Sequence, residues 1–246
     1  DVRYRWVAPD EASRPGGLRA LRGGGMALLV GLVCALPLAA DPEEALTQGW
    51  RLTEDVVGVT GGAVLSTPGY DSSGWLAATV PGTVLATLAE QGVYPDPLHG
   101  GNLLAIPDLA GEGRCYWFRT EFALAEPLGD RLAWLTCHGL NYRAEVWLNG
   151  ELLGRTVGAF KRHVFPVTAA LRSPGANALA LRVAPNDHPG SVHERTLLSS
   201  TRNGGPLLED GPTLLCTVGW DWIPTIPDRG LGPWRPVTLH VTGPVR

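Results

Sequence analysis

The stretch AEVWLNGELLGR, residues 144–155, determines the fold class of this 246-residue chain. Two short runs rich in apolar residues, 144–148 and 151–155, lie on either side of Asn149-Gly150. Asn-Gly suits a type I′ turn, in which both central residues take positive φ, and this turn connects two antiparallel strands. The stretch therefore predicts a β-hairpin.

The sequence on both sides of the hairpin predicts further short strands. They fall at residues 49–52, 116–124, 132–138, 163–167, 177–183 and 236–241. The 32 Gly and 21 Pro residues suit many strands joined by turns, and the pattern shows no β-α-β repeat. We therefore predict an all-β fold, a two-sheet sandwich rather than an α/β fold.

The rest of the chain supplies one short helix and two irregular stretches. The helix is expected to end at Glu90, with Thr83 as its N-cap and Gly92 near its end. Residues 61–74 are rich in turn residues, and residues 93–113, which include Asn102, form a long loop. Loops of that length are usually functional or disordered. No linker divides residues 45–246, so we expect one domain over residues 41–246.

An uncharged run, MALLVGLVCALPLAA, occupies residues 26–40. Arg19 and Arg22 precede it, and it ends in the small residues Ala39 and Ala40. This pattern is typical of a secretory signal peptide, and the run is too short to span a bilayer. We expect a secreted or periplasmic protein from which residues 1–40 are removed. The alternative is a buried hydrophobic helix.

Composition excludes two classes of function. The chain has 20 basic and 24 acidic residues with no marked basic cluster, and nucleic-acid binding requires a basic face. Downstream of the signal-like run, Cys115, Cys137 and Cys216 lie singly in apolar runs without a Cys-x-x-Cys pair. Three cysteines allow at most one disulfide, and buried thiols are predicted rather than a disulfide or a metal site.

The residue types that most clearly suggest ligand binding lie between Gly219 and Val237. Within this stretch, Trp220 and Trp222 flank Asp221. A sugar ring has an apolar C–H face that stacks on indole, and its hydroxyls donate hydrogen bonds to a carboxylate. An acid between two Trp residues is therefore suited to binding a sugar.

The same stretch resembles the end of the sugar-binding domain of glycoside hydrolase family 2, especially its β-mannosidase and exo-β-glucosaminidase branch. Gly-Trp-Asp-Trp at residues 219–222 is followed by Gly-Pro-Trp-Arg-Pro-Val at residues 232–237. Other matching stretches occur in the family's order: Trp75, then residues 80–84, 94–97 with 101–102, 116–122, 138–150 and 177–183. The resemblance covers residues 48–243, and its specificity lies in this ordered set.

The resemblance implies a jelly-roll sandwich, similar to a galactose-binding domain, that contributes to the −1 sugar subsite of an exo-acting enzyme. The catalytic glutamates of the family belong to a later (β/α)₈ barrel, so no catalytic residue is expected in this chain. By motif match, Asp221 would bind hydroxyls of the terminal sugar and Trp222 would line the pocket. Asn102 is a further candidate for the same pocket, whereas Trp220 and Trp234 are assigned mainly to packing.

Two kinds of partner follow from the resemblance. They are a β-linked oligosaccharide or glycoside and a downstream catalytic domain of the same polypeptide, with no cofactor. A free-standing carbohydrate-binding module or lectin on the same sandwich is the alternative, and a structural β-domain that binds other proteins is a third interpretation.

Overall fold

A computed structural model describes residues 43–55, 61–111, 113–189 and 226–243. Ten strands occur within these residues. They are β1 Glu44–Ala45, β2 Arg51–Glu54, β3 Leu76–Ala77, β4 Tyr116–Leu124, β5 Leu132–Cys137, β6 Arg143–Leu148, β7 Glu151–Val157, β8 His163–Pro166, β9 Gly175–Ala184 and β10 Val237–Thr242.

The strands form two antiparallel sheets, which confirms the predicted all-β sandwich. One sheet has the order β1-β10-β5-β8 and the other the order β3-β2-β4-β9-β6-β7. The predicted hairpin is β6–β7, and its turn residues Asn149 and Gly150 have φ values of 52° and 92°. Both are positive, as a type I′ turn requires.

The core lies between the sheets because side chains alternate along each strand. In β6, Ala144, Val146 and Leu148 are buried, while the residues between them are only half-buried. Phe118 and Leu181 are fully buried in the same core. Each such side chain contributes about 1.5–3 kcal/mol by leaving water.

The structure contains three short helices in its described part rather than one. The predicted helix is α2, Val84–Glu90, and the Thr83 hydroxyl accepts a hydrogen bond from the Ala86 amide at 3.3 Å. The other two, α1 Gly62–Leu65 and α3 Asn102–Ala105, fall in the stretches predicted to be a turn region and a loop. A helix of one turn is too short to produce a periodic hydrophobic pattern, so the sequence does not reveal it.

The two described cysteines of the sandwich are buried free thiols, as predicted. Burial raises the pKa of Cys137 to about 12. Cys216 and the boundary predicted at residue 40 lie outside the described residues. Among the residues that are described, no helix has the length and apolarity needed to cross a membrane.

Candidate functional site

The long connections of the sandwich open at one end, here called the connection end. Strands β4 and β6 begin where β9 finishes, because Tyr116 pairs with Val183 and Arg143 pairs with Ala184. Likewise, β10 and β8 both begin beside Cys137, the last residue of β5. The connection end therefore includes residues 91–115, 138–142 and 158–162, together with the connection from β9 to β10. The connection from β2 to β3 also leaves this end, because Glu54 pairs with Tyr116, but Ser66, which follows its helix α1, accepts a hydrogen bond from the Gly150 amide at the opposite end.

All three predicted sugar contacts belong to these connections. Asn102 lies in the connection from α2 to β4, whereas Asp221 and Trp222 lie in the connection from β9 to β10. Asp221 and Trp222, with Trp220, are outside the described residues, so their roles remain predictions. The connection that contains Asp221 and Trp222 in sequence leaves β9 and enters β10 at the connection end.

Asn102 begins the one-turn helix α3 and is half-buried. Its side-chain amide donates a hydrogen bond to the Asp96 carbonyl at 2.9 Å, which closes the loop on itself. A sugar contact from Asn102 in this conformation would therefore use its amide oxygen as an acceptor or its second amide N–H as a donor.

A bidentate ion pair ties the Asn102 loop to the segment that follows the Trp-Asp-Trp motif. The Arg229 guanidinium donates through Nη2 to Asp108 Oδ2 at 2.8 Å and through Nη1 to Asp108 Oδ1. The Arg229 side chain is 6% exposed and that of Asp108 is 30% exposed. The Leu109 amide also donates to the Pro227 carbonyl at 3.0 Å. These contacts fix one connection against the other.

Asp228 joins the same segment to the start of α2. Its fully buried carboxylate accepts hydrogen bonds from the Leu85 amide at 2.7 Å and the Gly230 amide at 2.8 Å. Burial raises the pKa of Asp228, although these two amides and the Thr83 hydroxyl act in the opposite direction. Desolvation outweighs them because ionising a carboxyl group away from water is costly.

Asn141 and Gly232 hold the segment to the connection between β5 and β6. Their backbones exchange two hydrogen bonds, at 3.0 and 2.9 Å. The side-chain amide of Asn141 also donates to the Arg229 carbonyl at 2.8 Å. Gly232 has φ of 139°, and an added Cβ would lie 2.9 Å from the Gly82 carbonyl oxygen. Glycine is therefore the residue that fits this crossing.

Trp234 continues the segment with packing contacts, in agreement with its predicted role. Its indole nitrogen donates to the Ala159 carbonyl at 2.8 Å, and its ring meets Phe160 edge to face at 5.6 Å between centroids. The Arg235 guanidinium lies 4.9 Å from the same ring. Trp234 thus connects the segment to the loop between β7 and β8.

The residues that organise this end carry no sequence pattern that points to their role, whereas the sugar-binding candidates do. Asp108, Asn141, Asp228 and Arg229 hold the framework, and the available signal is the adjacent charged pair Asp228-Arg229 in a Pro- and Gly-rich stretch. Within the described ranges, no group of three or more His, Cys, Asp or Glu side chains could hold a metal ion.

A two-sheet sandwich with its long connections gathered at one end is the architecture expected of a galactose-binding-like domain. A family model described as "Glycosyl hydrolase 2 galactose-binding domain-like" matches residues 59–235. The chain belongs to this family.

The relatives are much longer enzymes. The chain is 35% identical over 212 residues to a mannosylglycoprotein endo-beta-mannosidase of Lilium longiflorum, covering 83% of this chain and 22% of the relative. It is 33% identical over 187 residues to an exo-beta-D-glucosaminidase of Streptomyces avermitilis, covering 74% and 18%. The crystal structure of the exo-chitosanase CsxA of Amycolatopsis orientalis superposes with a TM-score of 0.62 at 25% identity, covering 82% of this chain and 21% of that one. The chain thus spans about a fifth of the relatives that it matches.

Proposed function

We propose that this chain is the N-terminal, non-catalytic domain of an exo-acting glycoside hydrolase that cleaves β-linked mannose or glucosamine units. The domain contributes Asp221, Trp222 and Asn102 to the subsite for the terminal sugar. The observation that carries this proposal is the bidentate pair between Asp108 and Arg229, which joins the Asn102 loop to the segment following Asp221.

The proposed roles follow from the chemistry of the three side chains. The Asp221 carboxylate accepts hydrogen bonds from sugar hydroxyls, each worth about 1.5–3 kcal/mol. The Trp222 indole stacks on the C–H face of the ring. Because the residues hold the sugar where reaction occurs, part of this energy lowers the barrier rather than only tightening binding.

Family membership and the length of the relatives support the proposal that this domain binds sugar while another domain carries out catalysis. The matched region is 18–22% of two relatives named as a β-mannosidase and a β-glucosaminidase, so most of each enzyme lies beyond it. Since the Lilium relative is named as an endo-acting enzyme and the Streptomyces relative as an exo-acting one, product analysis on an oligosaccharide is the measurement that decides between them. An exo-acting enzyme releases single sugars from the first time point.

Replacement of Asp221 in the full-length enzyme tests the proposed site. Asp221→Asn is expected to lower kcat/KM by about tenfold or more, since 1.36 kcal/mol corresponds to one factor of ten. The melting temperature is expected to stay unchanged because the carboxylate faces the ligand. The matched control is Glu151→Gln, at an exposed residue of the β6–β7 turn, at the end opposite the connection end.

A substrate lacking the hydroxyl bound by Asp221 makes the comparison specific. The wild-type enzyme should discriminate against the deoxy sugar more strongly than Asp221→Asn does. Equal discrimination would show that Asp221 does not bind that hydroxyl. A large loss of stability with full activity of the remaining folded protein would show instead that Asp221 holds its own loop.

A further inference from the structure

The outer face of the six-stranded sheet, which is turned away from the core, carries an open cavity. Leu65 of α1 packs against Trp117 of β4 and Ala180 of β9 and covers one part of that face. The cavity lies in the next part, which includes Arg182, the cross-strand partner of Trp117. Its volume is about 280 Å³, close to the lower limit of about 300 Å³ for small-molecule sites. The cavity is therefore large enough for a small ligand.

Three arginines and one glutamate supply the charged groups of the cavity wall: Arg143, Arg155, Arg182 and Glu145. The strand register brings them together, because Glu145 of β6 pairs with Arg182 on one side and with Arg155 on the other. Directly paired residues share a face of the sheet, and Arg143 shares it because it lies two residues before Glu145. Three positive charges and one negative charge give the wall a net charge of +2.

The guanidinium groups are held by contacts that leave some of their N–H groups unused. Nε of Arg155 donates to Glu145 Oε1 at 3.0 Å, and Nε of Arg182 donates to Asp55 Oδ2 at 2.6 Å. No hydrogen bond within the described part of the chain uses the Nη groups of these two arginines. The second oxygen of Glu145 accepts from the Trp147 indole at 3.2 Å. The cavity thus offers mainly N–H donors, which suit a ligand that supplies acceptor oxygens.

The surroundings of the arginines favour a carboxylate over a more highly charged anion. Cys115, Val157 and Ala184 add apolar surface to the cavity, which suits a ligand with a carbon body. Asp55 and Asp187 are ion-paired with two of the arginines and reduce the positive potential. A carboxylate carries one negative charge and accepts two parallel hydrogen bonds from a guanidinium group, whereas a phosphate group carries about two charges at neutral pH.

We propose that this cavity binds a small carboxylate-bearing ligand. The free Nη groups of Arg155 and Arg182 donate to the carboxylate, and the carbon body lies against Val157 and Ala184. Acidic sugars and organic acids share this chemistry. Binding here does not depend on the proposed glycosidase activity.

Thermal unfolding of the full-length protein with increasing ligand, at neutral pH and constant ionic strength, tests the site. Glucuronate and butyrate are the carboxylate probes, glucose is the uncharged counterpart of glucuronate, and inorganic phosphate is the alternative anion. Arg155→Gln is the main variant, because the Arg155 side chain is 69% exposed and its loss should leave the fold intact. The matched control is Arg172→Gln, at an exposed arginine just before β9, away from the cavity.

We expect a saturable rise in Tm with at least one of the two carboxylates. The apparent Kd should be at least about tenfold higher for Arg155→Gln than for the wild type, because charge-assisted hydrogen bonds are lost. Arg172→Gln should bind as the wild type does, and Arg155→Lys, which keeps the charge without the planar fork, should recover part of the affinity. A stronger response to glucuronate would assign the ligand to acidic sugars, and a stronger response to butyrate would assign it to organic acids.

Three results would overturn the inference. The first is the absence of a saturable response to either carboxylate. The second is an equal Kd for the wild type and Arg155→Gln, since the carboxylate would then bind elsewhere. The third is binding of phosphate or glucose that is as tight as that of glucuronate and butyrate and equally sensitive to Arg155→Gln, because the cavity would then not select a carboxylate.

Discussion

Arg229 carries a positive charge on a side chain that is only 6% exposed, and Asp108 lies against it with a side chain that is 30% exposed. Removing one partner of a buried pair costs more than the pair itself contributes, because the remaining charge loses a neutralising partner in surroundings that hydrate it poorly. The Arg143–Asp187 pair differs, because its side chains are 41% and 70% exposed and water solvates both charges.

Asp108→Asn is therefore expected to destabilise the protein by about 2–3 kcal/mol, below the value for a fully buried pair because Asp108 is partly solvated. The matched variant Asp187→Asn should cost less than about 1 kcal/mol. Thermal unfolding followed by calorimetry compares the two. Equal shifts in Tm would show that the framework at the connection end does not depend on this pair.

The buried carboxyl group of Asp228 gives stability a specific pH dependence. Burial raises its pKa in the folded state, so the folded protein binds this proton more tightly than the unfolded chain does. Its contribution to stability is therefore fully present below the unfolded-state pKa of about 3.9 and is lost as pH rises through the folded-state pKa. The free energy of unfolding of the wild type minus that of Asp228→Asn should increase as pH is lowered from 7 to about 4.5.

Asp71 supplies the control for this measurement, because hydrogen bonds from Ser73 lower its pKa. For Asp71→Asn the corresponding difference should be constant over the same range and decrease below about pH 4, where the carboxylate becomes protonated. A constant difference for Asp228→Asn would show that the Leu85 and Gly230 amides offset the effect of burial.

The β6–β7 hairpin combines a backbone requirement with a side-chain function at Asn149. Its backbone has positive φ, and its side chain donates to the Ala170 carbonyl and the Asn177 side chain, both at 2.7 Å, and accepts from the Ala178 amide at 3.0 Å. Asn149 thus fixes the turn to β9 as well as forming it.

Asn149→Gly separates these two contributions, since glycine adopts positive φ without strain. Loss of three partly buried hydrogen bonds, each worth about 1 kcal/mol, should reduce stability by roughly 2–3 kcal/mol. Urea unfolding measures this change. Gly150→Ala, which retains the Asn149 side chain but places a Cβ at φ of 92°, should cost about 1–2 kcal/mol. A smaller loss for Asn149→Gly than for Gly150→Ala would mean that the backbone requirement dominates.

Elements with a strong local pattern are predicted well from this sequence. β4 has the predicted bounds, residues 116–124, and the hairpin forms at the predicted dipeptide. In both, the alternation of side chains and the turn chemistry are properties of neighbouring residues. α1 is not predicted, and its position depends on a distant contact: Gly62 lies so close to the Trp147 indole that an added Cβ would be 2.3 Å from it.

At the scale of the whole molecule, long-range polar contacts account for most of what the sequence does not predict. Asp228 bonds to Leu85 across 143 residues and Arg229 to Asp108 across 121 residues. A strand is recognised by the regular alternation of its side chains, but a single buried charged residue forms no repeating pattern. Its distant partner therefore cannot be identified from the sequence. The chemistry of a sugar contact, by contrast, is visible in residue types, which is why Asp221, Trp222 and Asn102 are candidates while the framework that holds their connections appears only in the structure.

We propose that the protein is exported and that residues 26–40 are removed with the segment before them. Fifteen residues would extend only about 22 Å even as a helix, short of the roughly 30 Å bilayer core, and Arg19 and Arg22 precede the run as in a signal peptide. Cleavage after Ala40 would retain every described strand, because β1 begins at Glu44 and Glu43, just before it, contacts His138. Mass spectrometry of the secreted or periplasmic protein should find an N-terminus near Asp41.

Val30→Arg, which places a charge within the apolar run, should block export, whereas Ala8→Arg should not. An uncleaved cytoplasmic product from the wild-type sequence would reject export and favour a buried hydrophobic helix.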